Sequence, residues 1–155
     1  EMEKVVNVLP TTKFIAIIRE PFARSMSQFK MLVSRSKTVP RKEAEWQKFI
    51  DSITRQLRGA YSSSIPIWQS RFSADRLLFL PFGMLKTDPV GLLHQVEDFV
   101  GAKRFDDYQA VTEQVHKTRE IEVPDWVADA IRDMTKPQAD YLIEAFGEEF
   151  YNKTR

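Results

Sequence analysis

The sequence predicts an α/β chain, a short parallel sheet flanked by helices and followed by a helical last third. Three observations point there. Two short apolar runs, Lys13-Phe14-Ile15-Ala16-Ile17-Ile18 and Arg76-Leu77-Leu78-Phe79-Leu80, have the pattern of strands buried on both faces of a parallel sheet. Apolar residues recur every three to four positions between and after these runs, which is helical periodicity. Strands alternating with helices give α/β. Two strands are nonetheless too few for a doubly wound sheet, so part of a sheet is expected to lie outside these 155 residues.

Met2, Val5, Val6 and Leu9 have helical spacing, broken by Pro10 and two threonines. The first strand runs into Arg19-Glu20-Pro21, after which Phe22, Met26, Phe29 and Val33 mark a helix. Pro21 suits its first turn, where a missing N–H costs nothing. Residues 34–42 are polar and basic, a loop. Trp46, Phe49, Ile50, Ile53 and Leu57 form the stripe of an amphipathic helix stopped at Gly59 in the left-handed manner. Tyr61 to Phe72 is a shorter helix with Ile65, Trp68 and Phe72 on one side. The second strand stops at Pro81 and Gly83. Asp88 reads as the N-cap of a helix with Pro89 at its first position; Leu92, Leu93, Val96, Phe99 and Val100 are its buried stripe and Gly101 its end. Two helices, each opened by a proline, complete the chain: Pro124 leads Trp126, Ala130, Ile131 and Met134, and Pro137 leads Tyr141, Leu142, Ala145 and Phe146. All three tryptophans sit at core-stripe positions and are read as packing.

At 43% hydrophobic and 29% charged residues, the composition is that of a globular chain with one ordinary core. Lys+Arg 23 against Asp+Glu 22 excludes a uniformly basic nucleic-acid coat. The average conceals a polarity: residues 13–42 carry eight Lys/Arg and one acid, and residues 97–150 carry fourteen acids and six Lys/Arg. The basic third suggests a local anion site. The acids lack metal-ligand spacing and read as a solvated face. With no cysteine, a disulfide scaffold, a thiolate metal site and a cysteine nucleophile are excluded, and a cytoplasmic setting is expected. No apolar run approaches the roughly 20 residues that span a bilayer. The opening Glu1-Met2-Glu3-Lys4 lacks a signal-peptide pattern, and starting on Glu suggests a fragment or a processed product.

The informative stretch is Arg19-Glu20-Pro21-Phe22-Ala23-Arg24-Ser25-Met26-Ser27, directly after the first strand. Ligands meet parallel sheets at the carboxyl ends of strands, where the next helix offers free N–H groups and a positive dipole end to an anion. Arg19 brings a planar fork suited to phosphate, and Ser27, two turns into the helix, brings a hydroxyl. Taken alone, Arg19 would be a strand-end arginine paired with Glu20, Ser27 an ordinary helical serine, and Tyr61 a core aromatic.

Residues 13–29, KFIAIIREPFARSMSQF, resemble the 3′-phosphate-binding segment of PAPS-dependent sulfotransferases: an apolar strand, then Arg, an acid or Asn, Pro, two variable residues, Arg, two variable residues and Ser. Arg19, Glu20, Pro21, Arg24 and Ser27 fill the fixed positions. Arg58-Gly59-Ala60-Tyr61, Trp68, Phe72, the second strand, Thr87-Asp88-Pro89, Phe99-Val100-Gly101 and Val115-His116-Lys117-Thr118 follow the order of the carbohydrate and heparan-type branch and its bacterial relatives. The resemblance implies a three-layer, P-loop-like sulfotransferase fold, of which residues 1–155 are a single partial domain, the 3′-phosphate-binding half. It implies PAPS as donor, PAP as product, and transfer of a sulfuryl group to a hydroxyl or amine of a carbohydrate or small molecule, with no metal. Arg19 and Ser27 would bind the 3′-phosphate, with Arg24 and Tyr61 beside the nucleotide; Lys117 and Arg119 would stand in for the family's C-terminal phosphate loop.

Two departures matter. Phe82-Gly83-Met84-Leu85 replaces a Tyr-Glu-x-Leu-like sequence and loses its polar pair. The family's Gly-Thr-Thr loop for the 5′-phosphosulfate and its catalytic base are expected ahead of Glu1, on a missing part of the same domain, so this piece alone is expected to be inactive. The absence of cysteine suits cytosolic bacterial relatives better than disulfide-bearing members. The competing reading is a non-catalytic nucleotide-binding or protein-interaction module with the same fold. Nucleic-acid binding through residues 13–42 is disfavoured, since that segment lacks interleaved exposed aromatics. Of the two histidines, His94 adjoins a buried stripe and reads as structural, and His116 as a loop residue beside Lys117.

Overall fold

The computed structural model describes residues 11–36, 38–56, 59–109, 111 and 120–155. Strands β1 (Phe14–Ile18) and β2 (Leu77–Pro81) pair in parallel, with Phe14 opposite Leu77 and Ile18 opposite Pro81. Parallel strands need a crossover. It runs through α1 (Pro21–Arg35), α2 (Glu43–Gln56), α3 (Tyr61–Arg71) and a 3₁₀ turn at Ala74–Arg76. After β2 come α4 (Met84–Thr87), α5 (Pro89–Val100), α6 (Asp125–Phe146) and α7 (Glu148–Lys153). The fold is mixed α/β with a short parallel sheet and a helical last third, as the sequence predicts. The expected helix over Met2–Leu9 and the roles of Leu57, Arg58, His116, Lys117 and Arg119 lie outside the described residues.

Local chemistry sets several boundaries. Asp88 caps α5 by accepting from the Gly91 N–H at 2.9 Å, with Pro89 at the first helical position. Gly101, at φ 80°, closes the same helix in the left-handed region that L side chains avoid. At the start of α2, the Glu45 carboxylate reaches back to the N–H groups of Arg41 (2.8 Å) and Lys42 (3.4 Å), half of a capping box.

Two faces of the sheet carry separate cores. Ile18 packs with Tyr61 of α3, Leu142 of α6 and Tyr151 of α7, with Ala16 and Phe79 beneath them. Leu80 and Leu78 pack on Leu92 and Val96 of α5. A third core joins α1, α2 and α6 through Phe29, Val33, Trp46, Ile50, Val127 and Ile131. Phe29 and Ile131 are fully buried, so truncating either to alanine would cost about 2–5 kcal/mol.

The structure corrects several expectations, among them Val100, which is 46% exposed at the end of α5 rather than part of its buried stripe. The chain after Pro124 forms one long helix rather than two, α6 running through Pro137. An interior proline costs about 3 kcal/mol, but Val127, Ile131, Thr135 and Leu142 are buried on both sides of it, and that packing outweighs the local penalty. In the turn before it, the Thr135 hydroxyl donates to the carbonyls of Ile131 (2.8 Å) and Arg132 (3.1 Å). Gly59 is not a left-handed helix stop; among the described glycines only Gly101 and Gly147 have positive φ. β1 is not buried on both faces: the cover from α5 is centred on β2, and Ile15 and Ile17 remain 40% and 47% exposed. Trp126 is 38% exposed rather than core, because Val127, the next residue, takes the inward position. Finally, Glu97 is not on a solvated face. It is buried, and its Oε1 accepts from the Phe105 N–H and the Tyr108 hydroxyl, pinning the chain that follows α5.

Candidate functional site

Arg19 is the first residue after β1, at the carboxyl end of the strand. Its backbone is held from α3: the buried Tyr61 hydroxyl accepts from the Arg19 N–H (3.3 Å) and donates to the Arg19 carbonyl (3.0 Å). Burial pushes the Tyr61 hydroxyl above its ordinary pKa, so it stays protonated and able to donate. The side chain of Arg19 is half-buried, and its guanidinium lies 4.7 Å from the centroid of the Phe82 ring. Burial, and then the positive charge of Arg24, lower its pKa below the ordinary arginine value. Arginine remains charged even so. The positive charge of Arg24 acts on Arg19 in the sense that a bound anion would oppose.

Glu20 does not pair with Arg19. Its carboxylate caps α1, accepting from the N–H groups of Phe22 (3.0 Å) and Ala23 (2.6 Å). This corrects the expectation that the helix N-terminus offers free N–H groups to a ligand. Two first-turn donors are already satisfied by the protein's own carboxylate, which leaves anion recognition at this end to side chains. The Tyr151 hydroxyl also reaches Glu20 Oε1 (3.4 Å), and the Glu20 N–H donates to the Thr154 carbonyl (3.1 Å).

Arg24 and Ser27 are three residues apart on α1 and so neighbours on one face. Both are half-buried. That face meets the turn before α3: a Cβ built on Gly59 would lie 3.9 Å from Arg24 Cδ and from Ser25 Oγ. The structure therefore gathers Arg19, Arg24, Gly59 and Tyr61 at one end of the sheet, with Ser27 one turn further along. The candidate positions Lys117 and Arg119 lie outside the described residues.

Sequence reasoning missed four contributors. Phe82 seemed only to lose a polar pair, whereas its ring lies under Arg19. Gly83 read as a strand stop, yet a Cβ there would sit 2.1 Å from the Arg155 carbonyl oxygen and 2.4 Å from that of Lys153. Tyr151 and Thr154 carried no signal, because their link to Glu20 spans more than 130 residues of sequence. His94 is consistent with a structural role, its Nε2 lying 3.3 Å from the Phe105 carbonyl and 3.8 Å from Asp106. Among the described residues, no group of three or more His, Asp or Glu side chains is arranged to hold a metal, and no helix is long and apolar enough to cross a membrane.

The sulfotransferase family model matches residues 1–107, which include both strands, α1 through α5 and, of the residues named above, Arg19, Glu20, Arg24, Ser27, Gly59, Tyr61, Phe82 and Gly83. The chain is 29% identical over 99 residues to heparan sulfate glucosamine 3-O-sulfotransferase 3B1 of Mus musculus, covering 60% of this chain and 25% of that protein. It is 30% identical over 99 residues to the 3A1 enzyme of Homo sapiens, covering 60% of this chain and 24% of that protein. To heparan sulfate glucosamine 3-O-sulfotransferase 6 of Mus musculus it is 27% identical over 106 residues, covering 65% of this chain and 31% of that protein. The matched stretch thus spans a quarter to a third of these relatives. An apolar strand delivering Arg19 to a turn, Arg24 and Ser27 on the helix that follows, and a family match over more than half of its length together establish that this chain belongs to the sulfotransferase family.

Proposed function

We propose that this chain supplies the 3′-phosphate site of an enzyme that moves a sulfuryl group from PAPS (3′-phosphoadenosine 5′-phosphosulfate) to a hydroxyl or amine. The observation that carries the reading is Arg19: a half-buried arginine at a strand end, fixed through its backbone by Tyr61, pushed by Arg24, and joined to no carboxylate among the described residues. Its fork fits two oxygens of a phosphate. The Ser27 hydroxyl would add a donor, and Arg24 would balance the dianion's second charge. A 3′-phosphate distinguishes PAPS from ATP and AMP, so this is the group for which a dedicated site is needed.

In the transfer, an oxygen or nitrogen of the acceptor attacks sulfur, the bond from sulfur to the 5′-phosphate oxygen breaks, and PAP leaves with the electron pair. The acceptor's proton passes to a base, a role assigned to none of Arg19, Arg24, Ser27 and Tyr61. As in phosphoryl transfer, positioning and charge stabilisation carry the rate. What these residues contribute is a fixed grip at the end of the donor remote from sulfur, which orients the reacting bond. The relatives' names specify the 3-hydroxyl of glucosamine in heparan sulfate; for this chain we propose a carbohydrate or small-molecule acceptor, with glucosamine-containing saccharides the first to assay.

Calorimetric titration of the full-length protein with PAP and with AMP tests the reading. PAP is expected to bind about 10- to 100-fold more tightly, the value of a charge-assisted phosphate grip, and Arg19→Ala should erase the difference. Equal affinities for the two nucleotides would overturn the assignment. Preference for PAP without transfer from PAPS to any acceptor would instead favour a binding module.

A further inference from the structure

We infer that Phe82 is a positioning residue, a π platform that fixes the plane of the Arg19 guanidinium and leaves its N–H donors turned outward for the 3′-phosphate; this rests on the function proposed above. The guanidinium carbon lies 4.7 Å from the Phe82 centroid, within the range of a cation–π contact. The ring is held in place by backbone geometry, since the Phe82 N–H donates to the Ile18 carbonyl at 2.7 Å and the next residue, Gly83, donates to the Lys153 carbonyl at 2.8 Å. Ring and guanidinium are therefore carried by the residues that directly follow the paired strands: Ile18 is in register with Pro81, and Arg19 and Phe82, the next residue of each strand, meet at 4.7 Å.

The chemistry of the platform follows from what Arg19 lacks. Among the described residues its side chain forms no ion pair, because the adjacent carboxylate of Glu20 is engaged with the N–H groups of Phe22 and Ala23. Arg24 repels it and burial strips water from it. A half-buried cation in that setting needs an attractive partner. A carboxylate would provide one, but would occupy the same fork of N–H donors that a phosphate uses, and would have to be displaced on binding. An aromatic face attracts the cation through the plane of the guanidinium and leaves its edge free. The Phe82-Gly83 pair, which replaces a polar pair, therefore preserves the binding edge of Arg19 while restricting its rotamers. Pre-ordering of this kind strengthens binding by reducing what must be immobilised when the ligand arrives.

The test compares PAP and AMP affinities in the full-length protein and in Phe82→Leu, Phe82→Met and Phe82→Tyr, each checked for folding by circular dichroism. Leu and Met fill space without a π face; Tyr keeps the face. Loss of about fivefold in PAP affinity is expected for Leu and Met, with AMP affinity unchanged and Phe82→Tyr restoring PAP binding to within twofold. In Arg19→Ala the further change Phe82→Leu should cost nothing, since the platform acts only through the arginine. If Leu and Met bind PAP as well as the parent does, or weaken PAP and AMP equally, or if Phe82→Leu still costs fivefold in Arg19→Ala, the platform assignment falls. A parent protein that does not prefer PAP over AMP would instead overturn the 3′-phosphate reading itself, so the two failures are distinguishable.

Discussion

The turns that leave the carboxyl ends of β1 and β2 lie side by side and are built in opposite ways. The first, Arg19-Glu20, is held by side chains: the Tyr61 hydroxyl brackets Arg19, and the Glu20 carboxylate caps α1 while its backbone meets Thr154. The second, Phe82-Gly83, is held by backbone and shape: Phe82 donates to the Ile18 carbonyl, Gly83 to that of Lys153, and the absent side chain of Gly83 admits the carbonyls of residues 153 and 155. One turn presents charge, and the other supplies the surface against which that charge is set. The residue that carries the charge is thus not the one that caps the helix or brackets the turn; those tasks fall to Glu20 and Tyr61. The last turn of the chain touches both, through Thr154 and Lys153, so it serves as a clasp across the end of the sheet.

The comparison is broken most forcefully at Gly83. Its φ of −62° and ψ of −25° are ordinary for any residue, so glycine is required by proximity alone. In Gly83→Ala the new methyl would meet two backbone oxygens, and backbone yields less readily than the end of a flexible side chain. A loss of about 3 kcal/mol is expected in urea denaturation. Residues 151–155 should become the first to exchange their amide hydrogens. A variant as stable as the parent would show that the clasp opens at little cost and that the second turn is not specified by shape.

Next comes Tyr61. Tyr61→Phe removes both bonds to the Arg19 backbone while keeping the ring packed with Ile18 and Leu142. About 1–2 kcal/mol of stability should go, the cost of leaving part-buried polar groups unpaired. The pH dependence supplies a second signature. Burial raises the folded-state pKa of Tyr61 above the 10.0 of an exposed tyrosine, so the proton is held more tightly by the folded chain than by the unfolded one. The associated stability is full below about pH 10 and is lost as pH rises through the elevated folded value. The stability gap between parent and Tyr61→Phe should therefore narrow above pH 10, which thermal melts from pH 8 to 11 would measure. A gap that widens with pH would contradict the buried, neutral hydroxyl.

The contrast between the turns also explains what could be read in advance. Side-chain chemistry with a local partner is legible in sequence: Asp88 beside Pro89 announces the cap of α5, Gly101 its left-handed end, and Arg19 through Ser27 the resemblance to the sulfotransferase family that the family match bears out. Roles set by distant backbone are not. Gly83 carries no local mark of the carbonyls 70 residues ahead that exclude a methyl group, and Phe82 looks like the loss of a polar residue until Arg19 is seen above it. Pro137 is the converse case, a clear local signal to stop that is overruled by burial on both sides of it. Glu97 likewise reads as one acid among fourteen until Phe105 and Tyr108 fold back onto it.

The smallest expected effect, and the sharpest on the division of tasks within the first turn, is Glu20→Gln. Glutamine keeps one carbonyl oxygen for the N–H groups of Phe22 and Ala23 but gives up the second acceptor and the negative charge favoured at a helix N-terminus. Stability should fall by about 0.5–1 kcal/mol. Ligand binding should move the other way, because a negative charge next to Arg19 opposes an incoming phosphate, and its removal should improve PAP affinity by about twofold while leaving AMP unaffected. Opposite signs in the two measurements would separate the residue that holds the turn from the residue that uses it. If Glu20→Gln instead weakened PAP binding selectively, the carboxylate would have to be counted as part of the grip, and the first turn would not divide holding from binding as its hydrogen bonds indicate.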